Sequence, residues 1–238
     1  MSRPQSFVAE LQQLLESHGN AVQSQGMAAY MQQQFPFLGI KTPMRRASLM
    51  PYFNEAKEFP DSKPLREIAR RLWRLPEREF QYAAVDFLLA SSRILTPADL
   101  EFVRELVVEK SWWDTVDMLA SGVVGPLVLQ CSDLKEVMDD WSVAANLWIR
   151  RTALLHQLRY KEQTDVPRLF GYCLANAGDH EPIDPEGRTD IFFIRKAIGW
   201  ALREFAKTDR AAVICFVNEH KSRFAPLSVR EALKHVRE

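Results

Sequence analysis

Lys110-Ser111-Trp112-Trp113-Asp114-Thr115-Val116-Asp117-Met118 crowds two tryptophans and two carboxylates into fewer than two helical turns. Read as a helix start, it offers Ser111 as N-cap, with Asp114 at N3 in a near capping box. Trp112, Val116, Leu119, Ala120 and Val123 then follow the i, i+4, i+7 rule and form the packed face. Trp113 and Asp117, also four apart, share a neighbouring face rotated by about 100°. An aromatic ring beside a mid-helix carboxylate is the feature that packing alone does not require.

The same helical reading extends in both directions. Phe7, Val8, Leu11, Leu14 and Leu15 form one apolar stripe, ended by His18-Gly19-Asn20. Helix starts marked by proline recur at Thr42-Pro43, Ser62-Lys63-Pro64, Thr96-Pro97 and Asp165-Val166-Pro167. There is no period-2 strand pattern and no Asn-Gly or Asp-Gly hairpin turn. The expected fold class is all-α.

Five strings align along the chain: Phe80-Gln81-Tyr82-Ala83-Ala84, Trp113-Asp114-Thr115-Val116-Asp117, Ile149-Arg150-Arg151-Thr152-Ala153, Ile194-Arg195-Lys196-Ala197-Ile198 and Val229-Arg230-Glu231-Ala232-Leu233. Their starts lie 33, 36, 45 and 35 residues apart. This loose period predicts the second helices of HEAT-type units stacked into one solenoid domain over residues 1–238. Where the other strings carry Ala84, Ala153, Ile198 and Leu233, the second carries Asp117. A carboxylate at a packing position is costly unless it is partnered or used. The longest spacing reflects an acidic stretch bearing Pro and Gly, expected as a surface insertion at about 177–190.

The formal net charge is zero, which gives no global attraction to nucleic acid or to an anionic membrane. From Ile191 to Glu238, however, ten Lys and Arg stand against five Asp and Glu. Arg150, Arg151, Arg195, Lys196, Arg203 and Lys207 are candidates for the inner wall of a curved stack, where phosphates would be met. Cys131, Cys173 and Cys215 have neither disulfide-framework nor zinc spacing. Neither a Gly-rich phosphate loop nor a His ligand pattern occurs, so no cofactor and no metal are expected. No apolar stretch reaches the length of a membrane span, and a cytoplasmic setting is expected.

From the residues alone, ordinary interhelical packing is the readier account of Trp113 and Trp200, and a hydrogen bond within the fold the readier account of Asp117. The functional alternative is an electron-rich face beside an anion that stabilises developing positive charge.

Phe37-Leu38-Gly39-Ile40-Lys41-Thr42-Pro43, Leu75-Pro76-Glu77-Arg78-Glu79-Phe80-Gln81 and the opening stretch resemble the AlkD-like bacterial DNA alkylation repair family. So do Phe193-Ile194-Arg195-Lys196-Ala197-Ile198-Gly199-Trp200-Ala201-Leu202-Arg203-Glu204 and Ala225-Pro226-Leu227-Ser228. The resemblance runs in order over essentially the whole chain. It implies a HEAT-like solenoid with a concave, basic channel that holds double-stranded DNA. It further implies monofunctional hydrolysis of the N-glycosidic bond of cationic N3- and N7-alkylated purines. By the same resemblance Asp117 is the catalytic carboxylate, Trp113 and Trp200 contact the sugar and lesion, and Arg151 and Tyr30 lie in the channel. Arg195, Lys196 and Arg203 join them as expected DNA contacts, in a monomeric protein. The competing expectations are a non-catalytic HEAT module that binds distorted DNA and a protein-binding solenoid.

Overall fold

The computed structural model describes residues 3–178 and 190–234. Among them there is no strand, and helices account for the regular structure, as the recurring stripes require. The acidic stretch expected as an insertion lies, from Asp179 to Thr189, outside the described residues. The chain divides into two compact units, Met1–Phe102 and Val103–Glu238.

The first unit contains α1 (Arg3–Ser17), α2 (Ala21–Tyr30), α3 (Thr42–Lys57), α4 (Ser62–Arg74) and α5 (Arg78–Ala90). Phe7, Val8, Leu11 and Leu15 turn the buried stripe of α1 onto α3 and α4, and α5 packs on both of these. One buried carboxylate of α5 organises the segment that precedes α3. The Glu79 carboxylate is completely buried and accepts three backbone N–H bonds, from Leu38 at 2.9 Å, Gly39 at 2.8 Å and Ile40 at 3.0 Å. Gly39 has φ +90, and a Cβ there would lie 2.1 Å from the Asn20 carbonyl oxygen, so only glycine fits. Two starts differ from the expectation by one residue. Lys41 rather than Thr42 is the N-cap of α3. At α4 the cap is Asp61, whose carboxylate accepts from the Lys63 N–H, while Ser62 donates to Asp99 at 2.8 Å.

The second unit takes in most of α6 (Leu100–Val108), then α7 (Trp113–Leu119), α8 (Gly125–Gln130), α9 (Leu134–Ser142), α10 (Leu147–Leu155), α11 (Val166–Ala175), α12 (Asp190–Phe205), α13 (Arg210–Glu219) and α14 (Pro226–Ala232). A π-helical turn at Ala120–Val124 joins α7 to α8. Pro126 follows at the start of α8 and has no N–H to donate, so the ordinary ladder is interrupted here. α10 packs on α7, α9 and α12, and α12 packs on α14. Close contacts hold this arrangement. A Cβ on Gly125 would meet the His156 carbonyl oxygen at 2.3 Å, and the Tyr160 hydroxyl donates to the Gly125 carbonyl at 2.6 Å. Arg168 on α11 forks onto Asp139 of α9 at 2.9 and 3.0 Å, and Asp165 caps α11 as expected.

Four of the aligned strings lie wholly on helices, α5 in the first unit and α7, α10 and α12 in the second, and the fifth lies on α14 except for Leu233, its C-cap. The fold is an all-α helical repeat.

Candidate active site

Lys110, with φ +48, turns the chain sharply between α6 and α7. This turn corrects the expected cap. Ser111 donates back to the Val107 carbonyl at 2.7 Å, and the extended Trp112 becomes the N-cap of α7 without a side-chain bond. Asp114 is consequently at N2, within the first turn, where a negative charge is still favourable.

Trp112 goes to packing, as its stripe predicts. Its ring lies 5.0 Å from Phe193 and 5.8 Å from Trp148, and these two lie 5.1 Å from each other. Trp113 is only half-buried. The division between the two tryptophans therefore falls at the helix start, where the extended Trp112 precedes the first helical residue, Trp113.

Asp117 sits on the Trp113 face, 8% exposed. The repeat alignment places it opposite buried Ala84 and Ala153, and the structure supplies the compensation that a carboxylate needs there. Arg151, from α10 and 4% exposed, approaches it as a planar fork. Nε donates to Oδ1 and Nη2 to Oδ2, both at 2.7 Å. The remaining nitrogen, Nη1, donates to the Phe193 carbonyl on α12. One guanidinium thus ties α7, α10 and α12 together. Burial pushes the Asp117 carboxyl above its usual range. Arg151 pulls it back down, and the charge of Asp114 adds to the upward push. At the other end of the carboxylate's turn, Ser121 donates to the Asp117 carbonyl at 2.9 Å.

Trp200 is half-buried on α12, seven residues from Phe193. That spacing puts both on nearly one face, with Trp200 about 10 Å farther along the axis. The cations expected along a wall are arranged differently from that expectation. Arg151 is a buried clamp on Asp117. Lys196 and Arg203 both close on Glu231 of α14, at 3.1 and 2.6 Å, and hold its carboxyl below the usual range. Gly199 lies between them in sequence, and a Cβ there would meet the Glu231 Cβ at 2.4 Å, so its absence admits α14. Arg195 is half-buried, and its carbonyl accepts from Ser228 at 2.9 Å. Tyr30, in the first unit, is 74% exposed at the end of α2.

Phe193, Ser121 and Glu231 were not singled out by sequence reading. Phe193 and Ser121 act through or upon backbone carbonyls, which no side-chain motif signals. Glu231 stands in the third place of its aligned string, opposite Arg151 and Lys196, and that reversal of sign was the available clue.

Among the described residues no group of three or more His, Cys, Asp or Glu is placed to hold a metal ion. None of their helices is long and apolar enough to cross a membrane.

Comparison with known proteins bears on the family and the fold. A family model described as "DNA alkylation repair enzyme" matches residues 11–236. A solved structure described as "Predicted DNA alkylation repair enzyme from Enterococcus faecalis" is similar with a TM-score of 0.82 and 31% sequence identity, covering 92% of this chain and 97% of that one. No curated protein is significantly similar in sequence. The chain belongs to the DNA alkylation repair enzyme family.

Proposed function

We propose that this protein is a monofunctional DNA glycosylase that removes cationic N3- and N7-alkylated purines from double-stranded DNA. The observation that carries the reading is the Asp117 carboxylate, buried beside the half-exposed Trp113 and gripped at both oxygens by Arg151.

An alkylated purine already bears positive charge, so it departs as a neutral base when the C1′–N bond breaks and takes the electron pair. The deoxyribose is left as an oxocarbenium-like cation. Asp117 stabilises that cation by its fixed negative charge. Water then adds at C1′ and gives up a proton, to Asp117 or to solvent. Trp113 and Trp200 offer aromatic faces to the positively charged sugar and lesion. Arg151 is a positioning residue, because it orients the carboxylate. Tyr30, Arg195 and the outer parts of Lys196 and Arg203 contact the DNA backbone, whose grip supplies affinity without sequence selection. No step needs a metal or an organic cofactor. A site that reads charge on the sugar also has no need of the deep base pocket used by base-flipping enzymes. The protein acts as a monomer in the cytoplasm.

The test is incubation with duplex DNA carrying 7-methylguanine or 3-methyladenine, followed by assay of the free base. Release from both, and none from undamaged duplex, is expected. Salt-dependent duplex binding with no base release would mean a non-catalytic DNA-binding module instead.

A further inference from the structure

α14 uses its two sides unequally. Ser228, Glu231 and Ala232 face α12, where Gly199 lets the two helices come close. About half a turn round, Pro226, Val229, Arg230 and Leu233 follow one another at i, i+3, i+4 and i+7. Together with Phe224, Lys221 and Lys234 they line a hollow of about 600 Å³. Its floor is apolar, built on buried Phe224 and on Val229 and Leu233, which are half-buried. Its rim is cationic, since Lys221, Arg230 and Lys234 are exposed and no acidic residue among the described ones lines it.

We infer that this hollow docks an acidic amphipathic helix of a partner protein. On this side of α14 and its C-cap, Pro226, Val229 and Leu233 offer apolar contacts at i, i+3 and i+7, a spacing that meets the side chains along one face of another helix. The three cations select a partner with carboxylates flanking its apolar face. Duplex DNA would satisfy the rim but brings no apolar surface to cover Phe224, Val229 and Leu233. A second copy of this chain would oppose the same cations across a two-fold axis, which repels.

The test uses the ¹⁵N-labelled full chain titrated with a synthetic helical peptide that carries leucines at i, i+3, i+4 and i+7 and glutamates on either side. Amide shifts confined to the region of Lys221–Lys234 are expected. Binding should weaken by about tenfold or more in Val229→Glu and in Arg230→Glu/Lys234→Glu. Melting temperature and base release should stay unchanged in these variants. Absence of shifts, or equal binding of a scrambled peptide of the same composition, overturns the inference. So does loss of binding in the charge variants with none in Val229→Glu, which would mark non-specific attraction. Protection of the same amides by undamaged duplex would make the hollow part of a DNA track. Self-association abolished by Val229→Glu would make the occupant a second copy.

Discussion

Asp117 and Arg151 meet as a two-point fork, Nε on Oδ1 and Nη2 on Oδ2, with both bonds at 2.7 Å. Two planar groups joined in this way have one relative orientation, so the carboxylate is aimed before any substrate arrives. Because Nη1 of the same guanidinium is held by the Phe193 carbonyl, the aim is referenced to α12, the helix that carries Trp200. The Asp117 charge is sustained in a buried place by this partner and would be expelled without it.

Replacing Arg151 by methionine leaves Asp117 buried and unpaired. A loss of about 3–5 kcal/mol in unfolding free energy is expected by urea titration. Asp117→Asn combined with Arg151→Met should be more stable than Arg151→Met alone, since it removes the stranded charge. Strict additivity of the two single changes would show that the fork is not a coupled unit.

On the proposed mechanism the raised Asp117 carboxyl shapes the acid limb of activity. That mechanism needs the carboxylate, so kcat/KM should fall as pH drops through a value above the ordinary carboxylate 3.8. For this group the folded form binds the proton more readily than the unfolded chain. Its protonation on lowering the pH therefore favours the native state, and activity is lost from Asp117 without unfolding. In Arg151→Lys the paired hydrogen bonds that lower the carboxyl are weakened, and the limb should move to higher pH. An unmoved limb would assign it to another group.

His156 makes the opposite contribution. Full burial at the end of α10 depresses its imidazole from 6.5 to about 4. Its Nδ1 lies 2.7 Å from the Ala153 carbonyl, consistent with a neutral ring that donates there. Between those two pH values the unfolded chain takes up a proton that the folded chain does not. Stability from this residue is therefore complete above pH 6.5 and declines as pH falls to about 4, by on the order of 3 kcal/mol. Urea midpoints of wild type and His156→Gln compared at pH 7 and pH 4.5 check this. An identical pH dependence in both proteins would contradict it.

In the first unit, Glu79→Ala would strand the amides of Leu38, Gly39 and Ile40 in a buried place. A destabilisation of roughly 3 kcal/mol or more follows from three unmade bonds to a charged acceptor. A cost under about 1 kcal/mol, measured by urea unfolding, would mean that the 37–41 segment relaxes to reach water.

Much of this architecture was legible in residue spacing. The stripe from Trp112 to Val123 separated the packing tryptophan from Trp113, although Trp112 is the extended N-cap and Ala120–Val124 a π-helical turn, so the two rings diverge at the helix start and not by a constant rotation. Asp117 stood out because the aligned strings have Ala84 and Ala153 in its place, and both of these are buried. What spacing could not convey was the direction of long cationic side chains. Arg151 was read as a wall residue and turns inward, while Lys196 and Arg203 close on Glu231, which lies on another helix. Flexible stems reach partners in several directions, and the nearest acid across a helix pair decides among them. The Ser111 cap failed for a local reason of the same kind, since Lys110 takes a left-handed conformation that redirects the hydroxyl toward Val107.

The central claim is that Asp117 acts on the sugar while Arg151 holds it in place. The measurement that tests it most directly is the single-turnover release of 7-methylguanine from duplex DNA by wild type and Asp117→Asn, with duplex affinity and melting temperature measured on the same preparations. The account predicts a folded variant that still binds DNA and releases base at least about 100-fold more slowly, the loss that accompanies removal of one electrostatic stabiliser. Release at the wild-type rate by a folded Asp117→Asn protein would contradict it.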